Sequence, residues 1–258
     1  MLETFLILLA GGVMLAAVIS NPHEVTLQWL RLAGILALVF FGVGMVVWVR
    51  RESYRTLIER RELLAACVTA AVGILMQLGT VQIARRLVQR IAALIGVFSS
   101  VMLAAMILHG LAGAESRSLM LEVLTCAGVA AMCGIALMDM LLGHAYLTAA
   151  RMTMSPFRRL NFSLVVVMAL RAVCATAGVL ILQRRMQVES LWGIHGLFIG
   201  TRWFVGLLVP AVFVYMAHDC IKRRATQSAT GILYVAGVLI FLGEIIALQL
   251  VRETGLPF

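Results

Sequence analysis

Apolar residues occur along this chain in long unbroken runs, with neither strict alternation nor a one-sided helical stripe. Eight such runs lie at about 2–20, 29–49, 63–83, 91–112, 119–148, 160–182, 191–217 and 230–251. A helix that crosses the ~30 Å hydrocarbon core of a bilayer needs about 20 residues of this kind, at 1.5 Å of rise per residue. Membrane β-strands would alternate apolar and polar positions over roughly ten residues. These runs do not alternate, and helices satisfy their own backbone hydrogen bonds in lipid. The pattern predicts an all-α, polytopic integral membrane helix bundle of about eight transmembrane helices.

The breaks between runs agree with that reading. Asn21-Pro22 ends the first run, Arg50-Arg51 through Arg60-Arg61 separates the second from the third, and Arg85, Arg86 and Arg90 divide the third and fourth. Further breaks fall at Ala114–Ser118, Ser155–Arg159, Gln183–Arg185 and Lys222–Arg224. Every connection is short, so residues 1–258 form a single transmembrane helical domain with no soluble catalytic module. The first run begins Met-Leu-Glu without a basic flank, which favours a retained span over a signal peptide.

Composition narrows the partners. The chain is 62% hydrophobic and 13% charged, against ~25% charged in soluble domains. Its net charge of +9 comes from 20 arginines and one lysine, nearly all flanking the runs. Interfacial anchoring and contact with anionic membrane lipid account for them, and no nucleic acid is implied. The loops after spans one, three, five and seven (side A) hold ten basic residues and the opposite side (side B) nine, so charge does not orient the chain. The five cysteines show no CxxC spacing. They read as small buried residues, and no metal site is predicted.

Ionisable groups inside spans cost from ~2.5 kcal/mol upward and usually face the bundle interior or a wet cavity. Glu122, Asp139, His144, Arg171, Arg202 and Glu244 lie within runs or at their inner ends, and His109, His195, His218 and Asp219 nearer the interfaces. Counting from Arg151 and Arg159 places Asp139 and Arg171 at equal depth on antiparallel neighbours, about 18 Å from side A, which predicts an Asp139–Arg171 pair. Tyr146 shares the Asp139 face, and His144 and His218 end their spans on side A. Towards side B, Arg202 and Glu244 fall at similar depth and can pair; His195 shares the Arg202 face, and His109 reaches the same level.

These residues support three kinds of function. A quinone site needs an apolar slot and a His, Asp, Glu or Tyr to exchange a proton. His144, Asp139 and Arg171 are the expected catalytic group, with His109, His195, His218, Tyr146, Arg202 and Glu244 lining the binding sites. The last run, Phe241-Leu242-Gly243-Glu244-Ile245-Ile246 followed by Arg252, resembles the last helix of the membrane anchors of the DMSO reductase and polysulfide reductase type. The resemblance covers that helix alone, and Leu142-Gly143-His144-Ala145-Tyr146-Leu147 does not map onto it. It implies quinone as cofactor and iron–sulfur or cytochrome partner subunits of a respiratory complex, in a bacterial cytoplasmic (inner) membrane. The alternative is a membrane cytochrome b, with haem b between His109 and His195 or between His144 and His218. His195 and His218 would hold two haems ~34 Å apart along one helix. A transporter or channel is the third reading, although no repeat relates the two halves and Pro210 is the only mid-span proline.

Overall fold

The computed structural model describes residues 1–20, 24–52, 60–83, 86–112, 118–148, 153–185 and 194–258. Within them the chain forms eight long helices and no strand. These are α1 (Leu2–Ile19), α2 (Leu27–Glu52), α3 (Arg61–Ile83), α4 (Arg86–Ala112), α5 (Leu119–Thr148), α6 (Ser155–Arg185), α7 and α8 (Thr226–Thr254). The seventh is composite: Ile194–Trp203, a π-helical turn Phe204–Leu208, then Val209–Lys222. All eight are long and apolar enough to cross a membrane. The π turn ends two residues before Pro210, which has no N–H to bond back one turn and so breaks the regular ladder there.

α1 is the most enclosed helix, packed among α2, α4 and α5. α3 packs on α4, and α8 runs between α5 and α7. Within a bilayer the hydrophobic effect does not drive helices together, so close contact depends on small residues. Gly12 of α1 and Gly134 of α5 show this: a Cβ on Gly134 would overlap the backbone of Gly12 outright. Gly73 and Gly96 likewise bring α3 against α4, where a Cβ on Gly73 would lie 2.7 Å from the Gly96 nitrogen. At the other end of the chain, Gly255 caps α8 with φ of 70°. Glycine reaches this left-handed conformation without strain. The turn folds Leu256 and Phe258 back onto Leu182, Ala247 and Leu250.

α6 and α7 differ from α1. Much of their surface faces outward, including Phe162, Leu170 and Val173 on α6 and Phe204, Val212 and Tyr215 on α7. Both candidate polar sites of the bundle involve these two helices.

Candidate functional site

Two buried polar clusters are built where α5, α6, α7 and α8 meet. The first is ionic. Glu244 is fully buried on α8 and accepts from Arg171 Nε at 3.2 Å, Arg171 Nη2 at 2.5 Å and Arg202 Nη2 at 2.7 Å. Arg171 is 2% exposed and Arg202 0%, so two guanidinium groups share one carboxylate away from water. The surrounding glycines make this possible. A Cβ on Gly128 of α5 would come within 2.7 Å of Arg171 Cδ. A Cβ on Gly206 would lie 2.7 Å from Gly243 Cα and 3.0 Å from Arg202 Nη1. Gly206 and Gly243 thus let α7 and α8 touch backbone to backbone beside the Arg202 head group.

The Arg202–Glu244 pair expected from depth is present. The Asp139–Arg171 pair is not, because Arg171 turns to Glu244. The two residues differ in depth. α6 starts at Ser155, with Pro156 in its first turn, rather than near Arg159. Arg171 is therefore about 24 Å along α6 while Asp139 is about 14 Å from the end of α5.

The second cluster is amide-centred and lies nearer side A. Asn161 of α6, fully buried, donates Nδ2–H to Asp139 Oδ2 at 3.0 Å, and its Oδ1 faces His218 Nδ1, also at 3.0 Å. His218 lines an elongated groove of about 420 Å³ between α6 and α7. One wall is Phe162, Val165, Met168, Ala169 and Ala172; the other runs from Trp203 through Leu207, Ala211 and Val214 to His218. Each set repeats at three and four residues, so each is one helix face. The groove follows α7 for about 22 Å, and apart from His218 and the hydroxyl of Tyr215 at one end and the indole of Trp203 at the other its lining is apolar. Asn161 carries no charge and so does not stand out among the ionisable residues of the sequence. An asparagine within an apolar run was the available signal.

The remaining expected site residues are dispersed. His144 is exposed on α5 and does not line the groove. The glycine before it serves a neighbouring helix: a Cβ on Gly143 would meet Thr230 Oγ1 at 2.6 Å and Phe157 at 3.1 Å. Tyr146 is buried, stacks on Phe157 at 5.3 Å between ring centroids, and donates its hydroxyl to the Thr153 carbonyl, which ties α5 to the start of α6. His109 shares its Nδ1 with Glu122 at 2.9 Å, so it belongs to an α4–α5 contact rather than to the Arg202 group. The side chain of His195 lies outside the described residues. Asp219 is exposed and paired with Arg223 at 2.8 Å.

α5 and α7, which carry His144 and His218, are not packed neighbours, and neither are α4 and α7, which carry His109 and His195. Among the described residues no group of three or more His, Cys, Asp or Glu side chains is arranged to hold a metal ion. No family model matches the chain, and no curated protein or solved structure matches it. The class defined by fold and site is therefore an all-α, multi-pass membrane bundle with one closed ionic cluster and one imidazole-lined groove.

Proposed function

We propose that this chain is the quinone-binding membrane subunit of a respiratory electron-transfer complex, whose redox centres belong to partner subunits. The observation that carries this reading is the groove between α6 and α7. It combines an apolar slot open on the bundle's outer face with a single imidazole at its side-A end, supported from behind by Asn161 and Asp139. A lipid-soluble ring with a hydrocarbon tail needs that combination: apolar walls for most of its surface and one well-placed polar group for orientation and proton exchange. In this reading His218 takes the role that the sequence suggested for His144. The ligand enters sideways from the bilayer, and the bacterial cytoplasmic membrane is the setting.

Filling the slot tests the reading without touching the polar cluster. Ala169 and Ala211 line the groove and are exposed, so Ala169→Phe and Ala211→Phe should fold and assemble. Each is expected to lower quinone-linked turnover of the complex at least about tenfold, equivalent to ~1.4 kcal/mol. Unchanged turnover in both variants would contradict the proposal.

A further inference from the structure

The amide between Asp139 and His218 fixes more than a position. Asn161 has one face that donates and one that accepts. Its Nδ2 donates to Asp139 Oδ2, so the atom left for the histidine is Oδ1, an acceptor with no proton to give. A hydrogen bond between Oδ1 and Nδ1 then requires that Nδ1 carry the hydrogen. In a neutral imidazole only one nitrogen is protonated, so Nε2 is left as a bare acceptor. Nδ1 is occupied by Asn161, and Nε2, across the ring, is the nitrogen available to a ligand in the groove that His218 lines.

We propose that Asn161, held by Asp139, locks neutral His218 as its Nδ1–H tautomer, so that the groove selects ligands whose ring head donates an O–H to Nε2. This rests on the quinone reading and sharpens it. The reduced ring, which carries hydroxyl groups, is matched to Nε2, whereas a carbonyl of the oxidised ring placed there would face a second acceptor. Asp139 and Asn161 are positioning residues here and neither touches the ligand. Asn161 turns to His218 only its carbonyl oxygen, which carries no proton and does not pass one on. A proton accepted at Nε2 therefore does not pass inward to Asp139 and leaves by the groove's side-A end.

The direct test is nitrogen-15 NMR of the full chain in detergent or lipid, with labelled histidine and His218 assigned by difference from His218→Gln. At a pH where the ring is neutral, the wild-type protein should show a protonated Nδ1 and a bare Nε2. Asn161→Leu should abolish that preference. Because Asn161→Leu risks the fold, the near-isosteric Asp139→Asn provides a second case. An asparagine at 139 can donate as well as accept, so the amide of Asn161 is free to reverse and His218 should become a mixture of both tautomers. A wild-type His218 that carries its hydrogen on Nε2 would overturn the proposal, as would a tautomer unchanged in both variants.

The ligand preference is read separately. A hydroxyl-bearing ring analogue should bind the wild-type protein about tenfold more tightly than its methyl ether, the scale of one hydrogen bond. In Asp139→Asn that ratio should shrink. Equal affinities in the wild type would overturn the preference. If neither analogue binds, the quinone reading falls and the preference with it, while the NMR result still decides the tautomer lock.

Discussion

The two polar clusters in this bundle are built from similar material and do different things. The Arg171–Glu244–Arg202 cluster is charged and closed. Glycines at 128, 206 and 243 bring backbone or side chain against it from two sides, and none of its three charged residues lines the α6–α7 groove. The His218–Asn161–Asp139 cluster has a carboxyl only at its inner end, with no counter-ion beside it among the described residues, and opens on an apolar groove. Buried charge in a membrane is expensive unless it is paired. The closed cluster uses its pairing to fix which faces of α6, α7 and α8 meet. The open one leaves a titratable ring at the boundary between bundle and lipid. Ionisable residues in a span thus either sit closed within the packing or border a groove, and on the proposed reading only the second kind meets a ligand.

Removing the shared carboxylate is the strongest way to break this contrast. Glu244→Gln leaves two buried guanidinium groups without a counter-charge, which should destabilise the bundle by roughly 3–5 kcal/mol. The yield of folded protein in detergent and its thermal unfolding would show the loss. Adding Arg202→Met should recover little, because Arg171 stays unpaired. Only Arg171→Met as well should restore most of the stability. Full stability of Glu244→Gln alone would mean that the cluster is not what orders the three helices.

Next in size is the glycine seal. Gly243→Ala drives a methyl group into Gly206 Cα, so α7 and α8 must separate at a cost of about 1–3 kcal/mol. Gly231 lies on the same helix, and a Cβ there would meet nothing within 4 Å. Gly231→Ala should be neutral or stabilising by up to about 1 kcal/mol through better helix propensity. Parallel thermal melts would compare them, and equal behaviour would argue against a tight α7–α8 contact at the ionic cluster.

The smallest effects on stability should be the largest on function. His218→Gln keeps a polar side chain at the half-buried end of the groove and should leave unfolding unchanged, yet lower quinone-linked turnover at least about tenfold, ~1.4 kcal/mol of barrier. His144→Gln should change neither, since that side chain is exposed and off the groove. Steady-state assays of the assembled complex separate the two histidines; a larger loss at His144 would move the site to the end of α5.

Much of the architecture was legible in the sequence, because a bilayer imposes a length and a hydropathy on every crossing helix. All eight runs became helices, and their ends shifted by about five residues or fewer, the start of α6 at Ser155-Pro156 among the larger shifts. The same shift decided a pairing. Helix phase and depth were read well enough to join Arg202 with Glu244, while an error of about one helical turn at Ser155 assigned Arg171 to Asp139. The groove was not legible. It arises where Ala169, Ala172 and Ala211 face each other across two helices, and the crossing that aligns them depends on packing between distant parts of the chain. Asn161 was hidden for a different reason: an amide carries no charge and so lies outside the set of groups that a membrane penalises most.

The central claim, that the α6–α7 groove takes a quinone head beside His218, is tested most directly by photo-crosslinking. The complex in native membranes would be illuminated with a ring-labelled azidoquinone, with excess unlabelled quinone as competitor, and the modified peptides identified by mass spectrometry. The account predicts competed labelling at the side-A end of the groove, on residues 158–165 of α6 and 211–218 of α7, and its loss in Ala211→Phe. Competed labelling confined to other helices, such as the His144 end of α5, or labelling that persists undiminished in Ala211→Phe, would contradict it.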